Sequence, residues 1–188
     1  YIISNHNENK EILYTYTGDL FRKCDYSKSK IYFFMEYKNM YTLPIETIVL
    51  KNGNIISSEV IDYNALYSTN IIPHKVYKYE SDQLVPYSNY KPATITSESL
   101  LIDPKNTLFQ TNYSFYKYPV LDCVEKKGES IVYLWGYNDK YPIAKIENIT
   151  MDDVIKAMGY EFKGFFDNEI RDQKVLSSEG WAKINNLR

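Results

Sequence analysis

Residues 43–64 read LPIETIVLKNGNIISSEVIDYN, two apolar-rich runs divided by Lys51-Asn52-Gly53-Asn54. Both central residues of a type I′ turn need positive φ, which Asn and Gly adopt most readily. Val, Ile and Thr flank the turn, and their branched β-carbons suit a pleated strand better than a helix. An antiparallel hairpin is the strongest local constraint in the chain. HKVYKYES, starting at His74, adds another strand. A second glycine turn, Lys126-Lys127-Gly128-Glu129, divides TLFQTNYSFYKYPVLDCVEKKGESIVYLWGY in the same manner. The pattern predicts an α+β fold, rich in β, whose antiparallel hairpins form one or two sheets.

Elsewhere the period changes. ILYTYTGDL, near the start, alternates as a short strand does. SKSKIYFFMEYKNM (27–40) predicts a helix with Ile31, Phe34, Met35 and Lys38 on one face and Ser27 or Asp25 as cap. Pro86, Pro92 and Pro104 punctuate residues 81–107, which read as a long connection with one short strand at 93–96. TMDDVIKAMG has Thr150 at the N-cap, Asp153 three residues on and Gly159 as a stop. LSSEGWAKINNLR follows, with Trp181, Ile184 and Leu187 on one helical face. The expected division is a hairpin-rich domain over 1–149 and a helical extension over 150–188, part of the same unit and cut short.

Composition excludes several function classes. Net charge is −2 with Lys and Glu interspersed, which argues against nucleic acid, because phosphate binding needs concentrated Lys and Arg. No apolar run reaches the roughly 18 residues of a membrane span. His6 and His74 have no partners in sequence for a zinc site, so no metal and no cofactor are expected. Cys24 and Cys123 can make one bridge or none. The chain begins at Tyr1, which reads as a processed chain or an excised piece. Neither a phosphate-cradling glycine loop nor an acidic calcium loop is present in the sequence. Asp152-Asp153 suits a helix N-terminus, where the dipole favours carboxylates. Cys123 reads as a buried small hydrophobe within a strand. A through-space partner for His74 is the remaining route to catalysis, and no catalytic residue is assigned.

The 20 tyrosines are the other unusual feature, and their flat amphipathic rings suit half-exposed sheet positions. Tyr-x-Tyr recurs at Tyr14/Tyr16, Tyr77/Tyr79 and Tyr116/Tyr118, a spacing that puts both rings on one strand face. PIETIVLKNGNII and PVLDCVEKKGESI match at Pro44/Pro119, Val49/Val124, Lys51/Lys126, Gly53/Gly128 and Ile56/Ile131 with one offset. The aromatic block YLWGYNDKYPIAKIEN (133–148) has two readings. Trp135, Tyr137 and Tyr141 are candidate ligand-binding residues that could present flat faces to a sugar. Alternatively, Tyr133, Trp135 and Tyr137 alternate as core-facing rungs of a sheet, with Gly136 admitting a neighbouring backbone.

Tyr77-Lys78-Tyr79-Glu80-Ser81-Asp82-Gln83-Leu84, and Tyr116 through Gly128 to Tyr133, resemble degenerate copies of the RHS/YD-repeat unit. YLWGYNDKYPIAKIENIT followed by MDDVIKAMG is similar to a segment of large exported RHS-repeat-like proteins of Bacteroidetes, and the resemblance covers residues 30–188. Pro119 stands where the repeat has Asp, and the first turn of each copy lacks Gly. The resemblance implies a secreted or cell-surface β-hairpin array, associated with the outer membrane. It implies no catalytic residues. The expected function is a non-enzymatic structural or interaction segment of a larger surface protein. Its partners would be the remainder of its own chain or another surface protein. A carbohydrate-binding or adhesion module is the first alternative, with glycan as partner; an unrecognised hydrolase ranks last.

Overall fold

A computed structural model describes residues 2–5, 8–21, 30–66, 70–95, 100–103, 109–117, 120–126 and 128–187. The fold is α+β and β-rich, as expected. The chain separates into two compact units, residues 1–110 and 111–188. The change from strands to helices near Thr150 lies inside the second unit. Cys24, His6 and the caps proposed at Asp25 and Ser27 lie outside the described residues.

In the first unit, β1 (Ile2–Asn5), β2 (Glu8–Tyr16), β3 (Pro44–Lys51), β4 (Asn54–Leu66) and β5 (Asn70–Pro86) pair antiparallel in chain order. The β3–β4 hairpin closes through two residues, Asn52 at φ 51° and Gly53 at φ 76°, with Lys51 opposite Asn54. That is the turn the Asn-Gly pair dictates. Asn52 also accepts a bond from Asn9 N on Oδ1 (3.0 Å) and donates its own N–H to Asn9 O (2.9 Å), which ties the turn to β2.

Alternate positions of β3 serve two cores. Ile45 joins Tyr63, Leu20, Tyr32 and Met35, beneath α1 (Thr17–Phe21) and α2 (Lys30–Tyr37). Ile48 and Leu50 point the other way and join Ile55 and Tyr90. The helix expected over 27–40 is thus present as α2, ended by left-handed Asn39 (φ 56°), with Met40 N bonding Met35 O. That is the bond of a Schellman-type stop.

Two expectations in this unit are corrected. ILYTYTGDL is not one strand: β2 stops at Tyr16 and α1 begins at Thr17, where Asp19 accepts the Tyr16 N–H at 2.9 Å. Residues 81–86, read as connection, prolong the 17-residue β5 up to Pro86, since a proline at a strand end removes no needed donor. A 3-10 turn at Tyr87–Asn89 follows, and the short strand expected at 93–96 is β6 (Thr94–Ile95), paired with β7 (Leu100–Leu101).

In the second unit, β8 (Phe109–Lys117), β9 (Val120–Lys126), β10 (Glu129–Gly136) and β11 (Tyr141–Glu147) also pair antiparallel in chain order. The β9–β10 hairpin repeats the β3–β4 design, with Lys126 opposite Glu129 and Gly128 at φ 82°. Cys123, Val132, Leu134, Ala144 and Ile146 form the sheet side of one core. Its helical side comes from α3 (Met151–Ala157), α4 (Lys163–Ile170) and α5 (Ser178–Asn185), through Val154, Ile155, Phe166, Ile170 and Ile184. Each large aliphatic or aromatic side chain so buried contributes roughly 1.5–3 kcal/mol. The Thr150 capping box is present, with Asp153 N donating to Thr150 Oγ1 at 3.2 Å.

Helix α4 has no counterpart in the sequence reading, because Phe162, Phe165 and Phe166 blur its period. The face assigned to α5 is also corrected. Ile184 is buried, but Trp181 and Leu187 are 37% and 41% exposed. Gly180 is the other buried position, and its missing side chain lets Leu176 approach; a Cβ there would meet Leu176 Cδ1 at 3.1 Å.

Candidate functional site

The aromatic block occupies β10, the turn after it and β11. Along β10, Ser130, Val132, Leu134 and Gly136 are buried, while Tyr133 and Trp135 are half-buried on the alternate positions. The core-facing rungs are therefore Val132 and Leu134, not Tyr133, Trp135 and Tyr137. Compact aliphatics fit beneath the helices, whereas an indole needs its N–H satisfied at the margin. Trp135 Nε1 donates to Leu121 O at 2.6 Å on β9. Ile143 is the extra residue of a β-bulge, since Leu134 pairs with Ala144 and Trp135 with Pro142.

Tyr137 has left the strand. Tyr137, Asn138 and Asp139 are consecutively left-handed, at φ 53°, 57° and 62°. Asn and Asp tolerate this region; tyrosine visits it rarely, and each such L-residue costs roughly 1–2 kcal/mol. The conformation is held by its neighbours. Lys140 N bonds back to Gly136 O at 3.1 Å. Tyr137 N donates to Gln173 O and Asn138 N to Arg171 O, each at 3.0 Å. Arg171 Nε pairs with Asp139 Oδ2 at 3.2 Å. The turn therefore grips the α4–α5 connection by its backbone. Gly136 makes that approach feasible, because a Cβ there would lie 1.9 Å from Gln173 O. Trp-Gly-Tyr-Asn-Asp thus has a structural account residue by residue.

The three candidate ligand residues are only partly brought together. Tyr137 and Tyr141 stack edge to face, with ring centroids 5.7 Å apart and planes at 88°. They are 40% and 63% exposed. Trp135 is half-buried and bonded elsewhere, so no flat three-ring platform exists.

A charged cluster that the sequence reading missed lies beside this block. Asp122 on β9 is buried, and Lys163 Nζ, at the start of α4, donates to its Oδ2 at 2.6 Å. Lys163 also reaches Asp167 Oδ2, one helical turn on, at 3.2 Å. Burial pushes the Asp122 carboxyl up to about 6 against the lowering effect of Lys163, and Asp167 and Asp139 add to the rise. Burial raises Asp167 too, again opposed by Lys163. Asp122, Tyr133, Trp135, Asp139, Asp167 and Ile170 line a cavity of about 10 Å³, room for one water molecule and not for a sugar ring. Sequence held one usable signal here: Asp122 interrupts an otherwise apolar strand, and a buried carboxylate requires a partner.

A comparable feature lies in the first unit. Glu46 is buried on β3. Its Oε1 lies 2.7 Å from Tyr90 Oη, and its Oε2 accepts from Ala93 N at 3.0 Å. Tyr90 Oη is in turn 2.8 Å from Ser58 Oγ. Burial raises the Glu46 carboxyl, and the bonds from Tyr90 and Ala93 partly offset this. The network fastens residues 87–93 to the sheet. His74 is the unpaired residue of a bulge in β5, since Asp62 faces Lys75 and Tyr63 faces Pro73. Burial raises the Asp62 carboxyl, and the neighbouring His74 and Lys75 and a backbone bond at Tyr63 partly offset this.

Among the described residues, no group of three or more His, Cys, Asp or Glu is arranged to hold a metal ion. No helix among them is long and apolar enough to cross a membrane. Cys123 is a buried free thiol that burial pushes up to about 11, the environment of a packing residue and not of a nucleophile. Set against protein-family models, curated proteins and solved structures, the chain matches none.

Proposed function

We propose that this chain is a non-enzymatic structural and interaction segment of a larger YD-repeat-like protein at the cell surface or outside the cell. One observation carries the reading. The most distinctive motif, Trp135 to Asp139, is engaged within its own unit, through the indole bond to Leu121, the Gly136 contact and the grip on residues 171–173. Two glycine-turn hairpins of the same design, β3–β4 and β9–β10, support it further. The partners in this reading are the rest of its own chain or another surface protein.

A second reading, a carbohydrate-binding or adhesion module, draws support from the exposed Tyr137–Tyr141 pair. One experiment separates the two. Trp135→Ala and Tyr141→Ala variants are compared by urea denaturation and on a glycan array. The structural reading expects Trp135→Ala to destabilise by about 3–5 kcal/mol, Tyr141→Ala to be nearly neutral, and neither protein nor variants to bind glycan. Glycan binding by the parent chain that Tyr141→Ala abolishes without loss of stability would replace it with the adhesin.

A further inference from the structure

The ion pair between β9 and α4 has the parts of a covalent cross-link. We propose that Lys163 and Asp122 condense into an intramolecular isopeptide bond, with Asp167 as the proton-transferring acid. The inference does not rest on the proposed function. It rests on the geometry of three side chains: Lys163 Nζ is 2.6 Å from Asp122 Oδ2 and 3.2 Å from Asp167 Oδ2. An amine held against a carboxyl group needs no bimolecular encounter, and such placement is worth effective molarities of about 10⁵–10⁸ M when the approach is aligned.

The surroundings favour the reactive forms. The Asp122 and Asp167 side chains are 8% and 13% exposed, beside Trp135, Tyr133 and Ile170. Lys163 is 31% exposed, so the pair is partly buried and bears part of the desolvation cost that the neutral amine and neutral acid escape. Burial, and after it the neighbouring carboxylates, raise both Asp122 and Asp167 against the lowering effect of Lys163, which favours a proton on one of the two. Asp139 faces the same cavity but pairs with Arg171 and stands outside the reaction.

The step balances without an oxidant or co-substrate. A proton passes from Lys163 Nζ to the Asp122 carboxylate, leaving a neutral amine and a neutral acid. Protonated Asp167 donates to the Asp122 carbonyl oxygen, and the amine lone pair attacks Cγ. Asp167 then takes one proton from nitrogen, gives one to the departing hydroxyl, and recovers the proton it placed on the Asp122 carbonyl oxygen as the C=O re-forms. The C–N bond forms, the C–OH bond breaks, one water leaves, and Asp167 ends as it began. The adjacent cavity has room for that water. Residues 41 apart in sequence become joined, which constrains the unfolded chain as a disulfide would.

The test is the intact mass of the whole 188-residue chain under denaturing conditions, after incubation near pH 6 and near pH 7. The expected mass is that of the sequence less one water. Trypsin should then release a branched peptide joining residues 118–126 to 157–171, since an acylated Lys163 resists cleavage. Lys163→Arg should keep the full mass, and Asp167→Asn, shown folded by circular dichroism, should form the bond at least about 100-fold more slowly. A full-mass parent chain overturns the bond, whatever the variants do. A water loss confined to 157–171 would place the bond on Asp167 and overturn the assignment to Asp122. An Asp167→Asn variant linking at the parental rate would remove Asp167 from the mechanism.

Discussion

Replacing Gly136 by alanine tests the account of the aromatic turn, because two physical effects predict opposite signs. Alanine reduces the freedom of the unfolded chain, and where the folded backbone accepts it the change stabilises by about 0.4–1 kcal/mol. At Gly136 the added Cβ would sit 1.9 Å from Gln173 O, 2.7 Å from Ile143 Cγ2 and 3.0 Å from Gln173 C. The nearest atom is backbone, so no side-chain rotation relieves the overlap. The α4–α5 connection has to withdraw, and it takes with it the bonds from Tyr137 N and Asn138 N and the Asp139–Arg171 pair. Two hydrogen bonds at about 1 kcal/mol each, plus the left-handed turn losing its support, give a net destabilisation of about 3–4 kcal/mol. The assay is urea denaturation followed by tryptophan fluorescence, with Gly53→Ala as the control. A Cβ added at Gly53 would meet nothing within 4 Å among the described residues, but φ is 76°, so only the backbone term, about 1 kcal/mol, applies there. A Gly136→Ala variant as stable as the parent, or more so, would refute the clamp.

Two further expectations follow from buried polar groups in the first unit. Burial raises the Glu46 carboxyl above its unfolded value, so its share of stability is full below the ordinary carboxylate range and is lost as pH rises through the raised value. Glu46→Gln should therefore flatten the pH dependence of unfolding in that window and stabilise the protein at neutral pH. The amide can accept from Ala93 N and donate to Tyr90, whose hydroxyl then turns to Ser58; a variant less stable at every pH would contradict this. Tyr32 Oη is buried with no hydrogen-bond partner among the described residues, so Tyr32→Phe should be neutral or stabilising by up to about 1 kcal/mol in thermal unfolding. A loss above that amount would show that the hydroxyl is satisfied.

What was legible in the sequence was local. Asn52-Gly53 and Gly128 announced their hairpins because a positive φ is a property of two or three residues. Thr150 and Asp153 announced α3 for the same reason, since a capping box closes within four residues. The core side of β10 was misassigned, because alternation shows that Tyr133 and Trp135 share a face but not which face the helices cover. Trp181 on α5 failed likewise: its amphipathic face is turned by the Gly180–Leu176 contact, which no helical period reveals.

The charged cluster was legible only in part: Asp122 within an apolar strand calls for a partner without naming it. Asp122 and Lys163 are ordinary residues until the packing of Phe166 and Ile170 against the sheet sets α4 with its first turn over β9. Their chemistry arises from a 2.6 Å separation and from burial, and both are consequences of the assembled core. Turn chemistry, capping and the α+β class were written in the chain because they depend on neighbouring φ, ψ and local hydrogen bonds. The left-handed Tyr137, the buried Glu46 and the Lys163–Asp122 contact were decided only by tertiary structure. Each carries a local cost that only partners distant in the chain can offset.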